Sequence, residues 1–301
     1  MIKQPPYLKK GDKIAIVCPA KKLRKPIGAA IAVLEEWGLQ VISGKSVDAA
    51  YHQFAGSDRL RTDDMQAFLD DTDIKAIIAG RGGYGTIRII DQLDFTNFHK
   101  NPKWLVGFSD ITVLLSHVFA SMGIMAIHGQ MPGSFEEATP ESMESLRKAL
   151  FGESIAYSYT SACKNIAGQA EGTLIGGNLS ILAALRGSVS EMDFQGKILF
   201  LEDVGEQEYA IDRMLRMLDR AGKLAGLKAL IIGAFNAIKP EEPAFGQSVE
   251  EVVRAIVEKY GYPVCFHFPV GHISDNRALV VGSSVALSIQ DQEVSFRMLD
   301  R

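Results

Sequence analysis

The first 130 residues alternate short apolar runs with segments of helical character, and this alternation restricts the fold more than any other property of the chain. The segments between the runs, such as 26–37 and 58–71, have helical length and Ser, Pro or Gly at their boundaries. The apolar runs lie at 13–20, 39–43, 74–79, 104–108 and 124–128. Because these runs are continuous, they are typical of strands buried on both faces. The alternation predicts an α/β domain with a parallel sheet, whose functional groups lie at the carboxyl ends of its strands.

The character of the chain changes after this domain. Residues 152–168 are rich in Ser, Thr and Ala, which indicates a crossing between domains. The last part adds apolar runs near 278–282, 285–289 and 294–298. We therefore expect an N-terminal parallel-sheet α/β domain at 1–155 and a smaller α+β C-terminal domain at 168–301.

Charge and cysteine content exclude several kinds of partner. The 32 Lys and Arg residues are scattered and are outnumbered by 36 Asp and Glu, so we expect neither nucleic acid nor an anionic membrane as partner. The N-terminus lacks the pattern of a signal peptide, and no apolar run has the length of a membrane span, which favours a cytoplasmic protein. Three cysteines with no C-x-x-C pair predict neither a metal nor a redox centre.

Ser109 follows the fourth apolar run, at the bend before a segment of helical character. A hydroxyl on such a strand-to-helix turn projects from the sheet edge beside the first amide groups of the helix, which can stabilise an oxyanion. The pattern resembles a nucleophile elbow, although Ile111 stands where G-x-S-x-G has its second glycine. A helix cap formed by Ser109 or Asp110 is the alternative interpretation.

A glycine-rich loop, Gly80–Gly85, follows the third run and precedes a segment, 86–93, that we expect to be helical. Such a loop exposes amide groups and lets a ligand approach the backbone. It fits neither G-x-G-x-x-G nor the Walker pattern, so phosphate binding is weakly indicated, and a cradle for an oxyanion or a carboxylate remains open.

Glu202 and His272 also lie where predicted strands end or in a glycine-flanked loop. Together with Ser109 they form a possible catalytic set, since a serine needs a base and the base needs a carboxylate. Glu202 and His272 also have structural interpretations: the first as a solvated carboxylate at a strand end, the second as a histidine that hydrogen-bonds the backbone of its loop. His128, after the fifth run, is more typical of a hydrogen-bonded structural residue.

Five motifs in this order resemble those of the LD-carboxypeptidases, serine peptidase family S66, over nearly the whole chain. They are Gly80–Gly85, Gly107–Asp110, Gly172–Leu179, Phe200–Asp203 and Gly271–His272. The resemblance implies a serine carboxypeptidase that removes the terminal D-alanine from murein tetrapeptides, without metal or cofactor. It further implies peptidoglycan recycling, a murein peptide as partner, and a homodimer.

The resemblance also assigns roles to residues. Ser109 is implied as nucleophile, His272 as general base and acid, and Glu202 as its orienting carboxylate. The Asp110 amide and an amide of Gly82 or Gly83 are implied as the oxyanion hole. The terminal carboxylate of the substrate needs a further group, for which Asn178 and Arg81 are candidates.

Two alternatives remain open at this point. One is the microcin C immunity branch of the same family, which cleaves an aminoacyl-nucleotide analogue; the compact loop after Glu202, with Tyr209 as its one aromatic residue, favours murein peptides. The other is a non-catalytic α/β module that binds a phosphate or nucleotide through the glycine loop. Gln130 stands where the family resemblance predicts proline, which would alter the wall of the site.

Overall fold

The computed structural model describes residues 2–240 and 242–299, and these form two compact units. The first unit comprises the chain up to Ser154 together with Ser274–Val280. The second unit comprises Ile155–Ile273 and the chain from Val281 onward. The chain therefore passes from one unit to the other three times.

In the described residues, the strands are β1 Lys13–Val17, β2 Gln40–Ser43, β3 Ile74–Ala79, β4 Trp104–Gly107, β5 Ala126–His128, β6 Ala156–Thr160, β7 Gly168–Asn178, β8 Lys197–Val204, β9 Ala229–Asn236, β10 Val264–Cys265, β11 Leu279–Val281, β12 Ser284–Gln290 and β13 Glu293–Met298. The α-helices are α1 Gly28–Glu36, α2 Asp58–Asp70, α3 Thr96–Lys100, α4 Thr112–Met122, α5 Pro140–Phe151, α6 Leu179–Ala184, α7 Glu208–Arg220 and α8 Val249–Val257. Within the part of the chain described here, no helix is both long and apolar enough to cross a membrane.

The sheet of the first unit has the strand order β11-β5-β4-β3-β1-β2. The pairs from β2 through β5 are parallel, so these strands end at the same edge. The side chains of β1, β3, β4 and β5 are almost all buried, since helices lie between successive strands, whereas those of the edge strand β2 are largely exposed. The prediction of a parallel-sheet α/β domain is confirmed.

The second unit contains a mixed sheet with the order β10-β9-β8-β7-β12-β13-β6. Strands β7 to β10 are parallel neighbours, whereas β12 pairs antiparallel with both β7 and β13, and β13 with β6. Helices α6, α7 and α8 connect the parallel strands. Parallel strands again bring the ends of β7, β8 and β9 to one edge, where Glu202 lies.

Two local predictions were wrong. Residues 86–93 form two short 3-10 turns instead of a helix, because no side chain caps either turn and Leu93 is extended. Gly176 and Gly177, a pair whose sequence predicts a turn, continue β7 in register with Phe200 and Leu201 of β8. Strand β6 lies within 152–168, the segment where the sequence predicts the crossing between domains, and pairs antiparallel with β13.

Residues 274–280, which we call the return segment, were assigned to the C-terminal domain, 168–301, but cluster with the first unit. Helix α5 and the residue before it hold this segment. The Thr139 amide donates to Ser274 O at 3.0 Å, the Ser142 hydroxyl to Asn276 O at 2.7 Å, and the Ala278 amide to Ser145 Oγ at 2.8 Å. Next to these contacts, β11 extends the first sheet beside β5, which explains the assignment.

Candidate active site

Ser109 lies in a strained turn between β4 and α4. Its φ is 63°, in the left-handed region that non-glycine residues rarely adopt and that recurs at functional turns. A 3-10 turn, Ser109–Ile111, leads directly into α4. The Ile111 amide is used within the turn, so the candidate donor beside the serine is the amide of Asp110, at the point where the helical turns begin. This is the local geometry of a nucleophile elbow.

Ile111, at the place of the second glycine in G-x-S-x-G, packs against the first glycine of the turn, Gly107. A Cβ at Gly107 would lie 2.9 Å from Ile111 Cγ2, so the isoleucine side chain fills the space over the first glycine. The Ile111 amide donates to Phe108 O at 3.2 Å, which closes the turn from the same residue. The Ile111 side chain thus fills space beside Gly107 that a smaller residue would leave empty.

The glycine loop lies against Ser109. A Cβ at Gly82 would be 3.0 Å from Ser109 Cβ and 3.2 Å from Phe108 O, closer than ordinary contacts. At Gly83, φ is 115°, and a Cβ would lie 2.6 Å from Lys21 Cδ. The loop backbone can approach the serine because both positions lack a side chain. The donation of an oxyanion-hole hydrogen bond by Gly82, Gly83 or Asp110 stays a prediction.

Two buried charged side chains hold this loop. Asp110 accepts a hydrogen bond from the Thr86 amide at 2.9 Å, and burial raises the pKa of its carboxyl although this bond opposes the shift. Arg61, on α2, donates to Gly85 O at 3.0 Å and to Pro19 O. Sequence reasoning missed Arg61; its one sequence signal is its position among the inward-facing residues of α2.

Glu202 and His272 form a hydrogen-bonded pair in the second unit. His272 Nδ1 lies 2.7 Å from Glu202 Oε2. The carboxylate is fully buried, whereas the histidine side chain is 20% exposed. Nδ1 donates to a carboxylate, which leaves Nε2 as the proton acceptor of the neutral ring. The pair therefore has the orientation that a general base requires.

Gly271 and Asn236 fix this pair. At Gly271, φ is 113°, and a Cβ would lie 2.7 Å from Glu202 Cβ, so a side chain there would displace the carboxylate. Asn236, at the end of β9, donates to His272 O at 2.6 Å. No pattern in the sequence around Asn236 predicted this contact.

The environment of His272 shifts its proton affinity in two directions. Burial lowers the pKa of the imidazole, but the hydrogen bond and charge of Glu202, assisted by the charge of Asp203, outweigh this effect. The pKa of His272 therefore lies above its ordinary value. For the neighbouring carboxyl of Asp203, burial has the opposite effect: it raises the pKa to about 6, although hydrogen bonds from amide groups oppose the shift.

Asn178 has a clear structural role. Its Oδ1 accepts from the Ile181 amide at 3.2 Å and caps α6, while its Nδ2 donates to Asp203 Oδ1 at 2.9 Å. Asn178 is therefore the N-cap of α6. Binding of a substrate carboxylate by Asn178 stays a prediction.

Three further residues considered in the sequence, Arg81, His128 and Gln130, lie in the first unit. Arg81 Nη1 donates to Lys22 O at 2.7 Å, and its role toward a substrate carboxylate also stays a prediction. His128 is fully buried in β5, with its ring 5.7 Å from that of Phe108. Gln130 accepts from Ser134 Oγ at 2.8 Å and donates to Ser274 O at 3.3 Å, so it binds the return segment.

The structure brings the predicted residues together in two groups. Ser109, Asp110, Gly82 and Gly83 share the strand ends of the first unit, and Glu202 and His272 are paired in the second. The approach of His272 to Ser109 stays a prediction.

Comparison with known proteins identifies this combination of domains. Residues 14–129 match the model of the LD-carboxypeptidase N-terminal domain, and residues 171–287 match that of the C-terminal domain. The chain is 34% identical to a probable murein peptide carboxypeptidase from Bacillus subtilis, over 96% of this chain and 92% of that protein.

Solved structures share the fold. A muramoyltetrapeptide carboxypeptidase from Oxalobacter formigenes superposes with a TM-score of 0.87 at 29% identity, covering 96% of this chain and 99% of the other. The microcin C7 self-immunity protein MccF, in complex with aspartyl sulfamoyl adenosine, gives the same TM-score at 22% identity, over 99% and 98% of the two chains. The second likeness is one of fold alone. Through both of its domains, this chain belongs to the LD-carboxypeptidase family, S66, and is a serine-type carboxypeptidase.

Proposed function

We propose that this enzyme removes the terminal D-alanine from murein tetrapeptides by a Ser109–His272–Glu202 triad. The observation that carries the proposal is the buried Glu202 carboxylate hydrogen-bonded to His272 Nδ1 at 2.7 Å. The strained turn at Ser109 and the side-chain-free loop beside it support a nucleophile and an oxyanion hole. The names of its relatives, murein peptide and muramoyltetrapeptide carboxypeptidases, support the substrate.

The mechanism is acyl transfer in two halves. His272 Nε2 accepts the Ser109 proton as Oγ attacks the carbonyl between the L-centre and D-alanine. Amides of Asp110 and of Gly82 or Gly83 stabilise the oxyanion, and Glu202 stabilises the imidazolium. His272 then protonates the leaving amine of D-alanine. Water, deprotonated by His272, hydrolyses the acyl-enzyme and regenerates Ser109.

An exopeptidase must also bind the free carboxylate at the end of its substrate. We propose Arg81 and Asn178 for this contact, as the two polar candidates of the glycine loop and of the start of α6. Arg81 is the stronger candidate of the two, because its guanidinium makes no ion pair in the described part of the chain.

We further propose a homodimer that acts in the cytoplasm during peptidoglycan recycling. Strand β6 at the edge of the second sheet carries no charged side chain, a property that favours pairing with another chain. Light scattering on the purified protein measures this state directly; a monomer at micromolar concentration would contradict the dimer.

The decisive experiment is release of D-alanine from L-Ala-D-Glu-meso-diaminopimelate-D-Ala by the wild type and by Ser109→Ala. We expect release by the wild type alone, and labelling of Ser109 by a fluorophosphonate probe. An aminoacyl sulfamoyl adenosine serves as the competing substrate. Cleavage of that compound without release of D-alanine would favour the microcin-immunity activity, against which the three-residue loop between β8 and α7 argues. A folded wild type that is neither labelled nor active would favour the binding module.

A further inference from the structure

The loops that follow β1 and β3 lie at a special position in the first sheet. Strand β1 has β2 on one side and β3 on the other, so the chain order reverses between β1 and β3. In open α/β sheets, ligands bind in the crevice that such a reversal creates at the carboxyl ends of the strands. The loop after β3 is the glycine loop. The loop after β1 has no part in the mechanism above.

The loop after β1 is strongly basic. We define the basic loop as Lys21–Lys25, in which four of five residues are cationic. Lys22 and Arg24 are exposed, and Lys21 is half-buried. Lys25 is paired with Glu136, but Lys21, Lys22 and Arg24 make no ion pair in the described residues.

The basic loop adjoins the glycine loop. The aliphatic chain of Lys21 packs on Gly83, and the Lys22 carbonyl accepts from Arg81 Nη1 at 2.7 Å. Burial and the neighbouring charge of Arg24 both lower the pKa of Arg81, as expected where cations gather without a counterion. Arg81 is next in sequence to Gly82, which lies against Ser109. Unpaired positive charge is therefore concentrated around the candidate oxyanion loop.

A cavity of about 430 Å³ opens beside the basic loop. Arg24 and Lys25 line it on one side, with Ser43 and the exposed carboxylate of Asp48 on the other. Asp48 makes no ion pair with either cation within the described chain. Because Lys25 is paired with Glu136, Arg24 and Asp48 balance each other in the cavity itself, and the excess of positive charge is that of Lys21, Lys22 and Arg81 in the two adjoining loops. The cavity supplies space for a peptide side chain.

We propose that Lys21, Lys22, Arg24 and Arg81 form an anion-binding surface that recognises the carboxylates of the acidic murein peptide. This inference rests on the proposed function, and it adds the positive charge of these four residues as a source of substrate specificity. Exposed cations raise the association rate of an anionic substrate and favour it over a neutral analogue. The enzyme then selects acidic peptides, and its kcat/KM falls as salt screens the attraction.

The test compares two tetrapeptides that differ in one group: the free carboxylate of D-glutamate is a carboxamide in the second. For the wild type we expect kcat/KM to be about tenfold higher for the acidic peptide. In the double variant Lys22→Gln/Arg24→Gln this preference falls to about twofold, through loss on the acidic peptide alone. Lys25→Gln is the matched control, because Glu136 already neutralises Lys25, and it retains the wild-type preference.

Each other outcome has a distinct meaning. An equal preference in the double variant, or none in the wild type, overturns the anion-binding surface while leaving the proposed function in place. No release of D-alanine from either peptide by the wild type overturns the proposed function and this inference with it. Inhibition by inorganic phosphate that the double variant abolishes, with no discrimination between the peptides, assigns the surface to phosphate and refutes a peptide role.

Discussion

Gly82 shows how a single missing side chain shapes the site. Its backbone lies close to both Ser109, the proposed nucleophile, and the Phe108 carbonyl, so Ser109 and the candidate oxyanion donor are held close together. Any Cβ at this position meets the Phe108 carbonyl and the Ser109 side chain. If Ser109 is the nucleophile that we propose, even the smallest substitution at Gly82 acts on catalysis.

Replacement Gly82→Ala is expected to reduce kcat by about 100-fold or more with the fold retained, because the methyl group displaces Ser109 or the loop by a few tenths of an ångström. D-alanine release and thermal unfolding measure the two effects. Gly28→Ala is the control, since a Cβ there meets nothing within 4 Å. Wild-type kcat in Gly82→Ala would contradict the close approach.

The Glu202–His272 pair predicts the pH profile. In the proposed mechanism neutral His272 is the base, so kcat/KM should rise with pH through a midpoint above the ordinary value of 6.5. Glu202→Gln removes the charge of Glu202, the main cause that raises the pKa of His272, and leaves burial, which lowers it, against the smaller effect of Asp203. The midpoint should move to lower pH, and kcat should fall about 10³-fold or more. An unchanged midpoint would show that Glu202 does not set the proton affinity of His272.

The same pair contributes to stability with a defined sign. Because the folded-state pKa of His272 is raised, the charged pair stabilises the fold fully below the unfolded-state pKa. This contribution is lost as pH rises through the folded value.

At the scale of elements, the two consecutive glycines of β7 allow the sheet to keep its register where β7 and β8 deliver Asn178 and Glu202. At Gly176, φ is 146°, and a Cβ would lie 2.0 Å from Phe200 O. A strand with side chains at this point could not remain paired with β8. Glycine here is a packing requirement inside a strand, although in sequence it looks like a turn.

Gly176→Ala should therefore lower the free energy of unfolding by about 3 kcal/mol or more. Gly172→Ala, in the same strand, is the matched control: its nearest neighbour is the flexible Lys228 side chain at 3.1 Å. Urea denaturation of both variants measures the difference. Similar midpoints for the two would mean that β7 can bend away from β8.

Elements whose boundaries are set by local capping could be predicted from the sequence, whereas those set by contacts with distant segments could not. Helix α2, predicted at 58–71, is observed at Asp58–Asp70, because the Ser57 side chain caps its first turn. The short turns after Gly85 and the path through Gly176 depend on contacts with another strand or loop. Local propensity carries no information about such contacts.

For the site, the sequence placed Ser109 and Glu202 at strand ends because apolar runs stop there. It could not reveal Arg61, Asn236 or the backbone of Gly271 as supports, since each acts on a partner at least 20 residues away in the chain. A histidine that acts as a base needs a carboxylate partner, which suggested Glu202 as the residue that orients His272. The 2.7 Å distance between His272 Nδ1 and Glu202 Oε2 agrees with that role.

At the scale of the molecule, the first unit depends on the return segment. Strand β11 lies beside β5 at one edge of the first sheet, and side chains of α5 bind the segment before it. A chain that ends at Ser154 lacks this strand and leaves the edge of β5 open. Such an edge promotes association with other chains.

We expect the fragment 1–154 to aggregate or to unfold without cooperativity, whereas the full chain unfolds cooperatively. Circular dichroism during thermal unfolding and size-exclusion chromatography distinguish these states. Addition of a synthetic peptide of residues 272–284 should increase the monomeric fraction. A monomeric fragment that melts cooperatively on its own would show that β11 is dispensable.

The return segment also bears on how such genes can recombine. A single crossover near residue 154 between two relatives would join the sheet of one parent to a last strand inherited from the other. The hydroxyls of Ser142 and Ser145 would then face a segment selected against a different helix. Functional chimaeras should therefore arise mainly from double exchanges in which residues 1–154 and 274–280 come from the same parent.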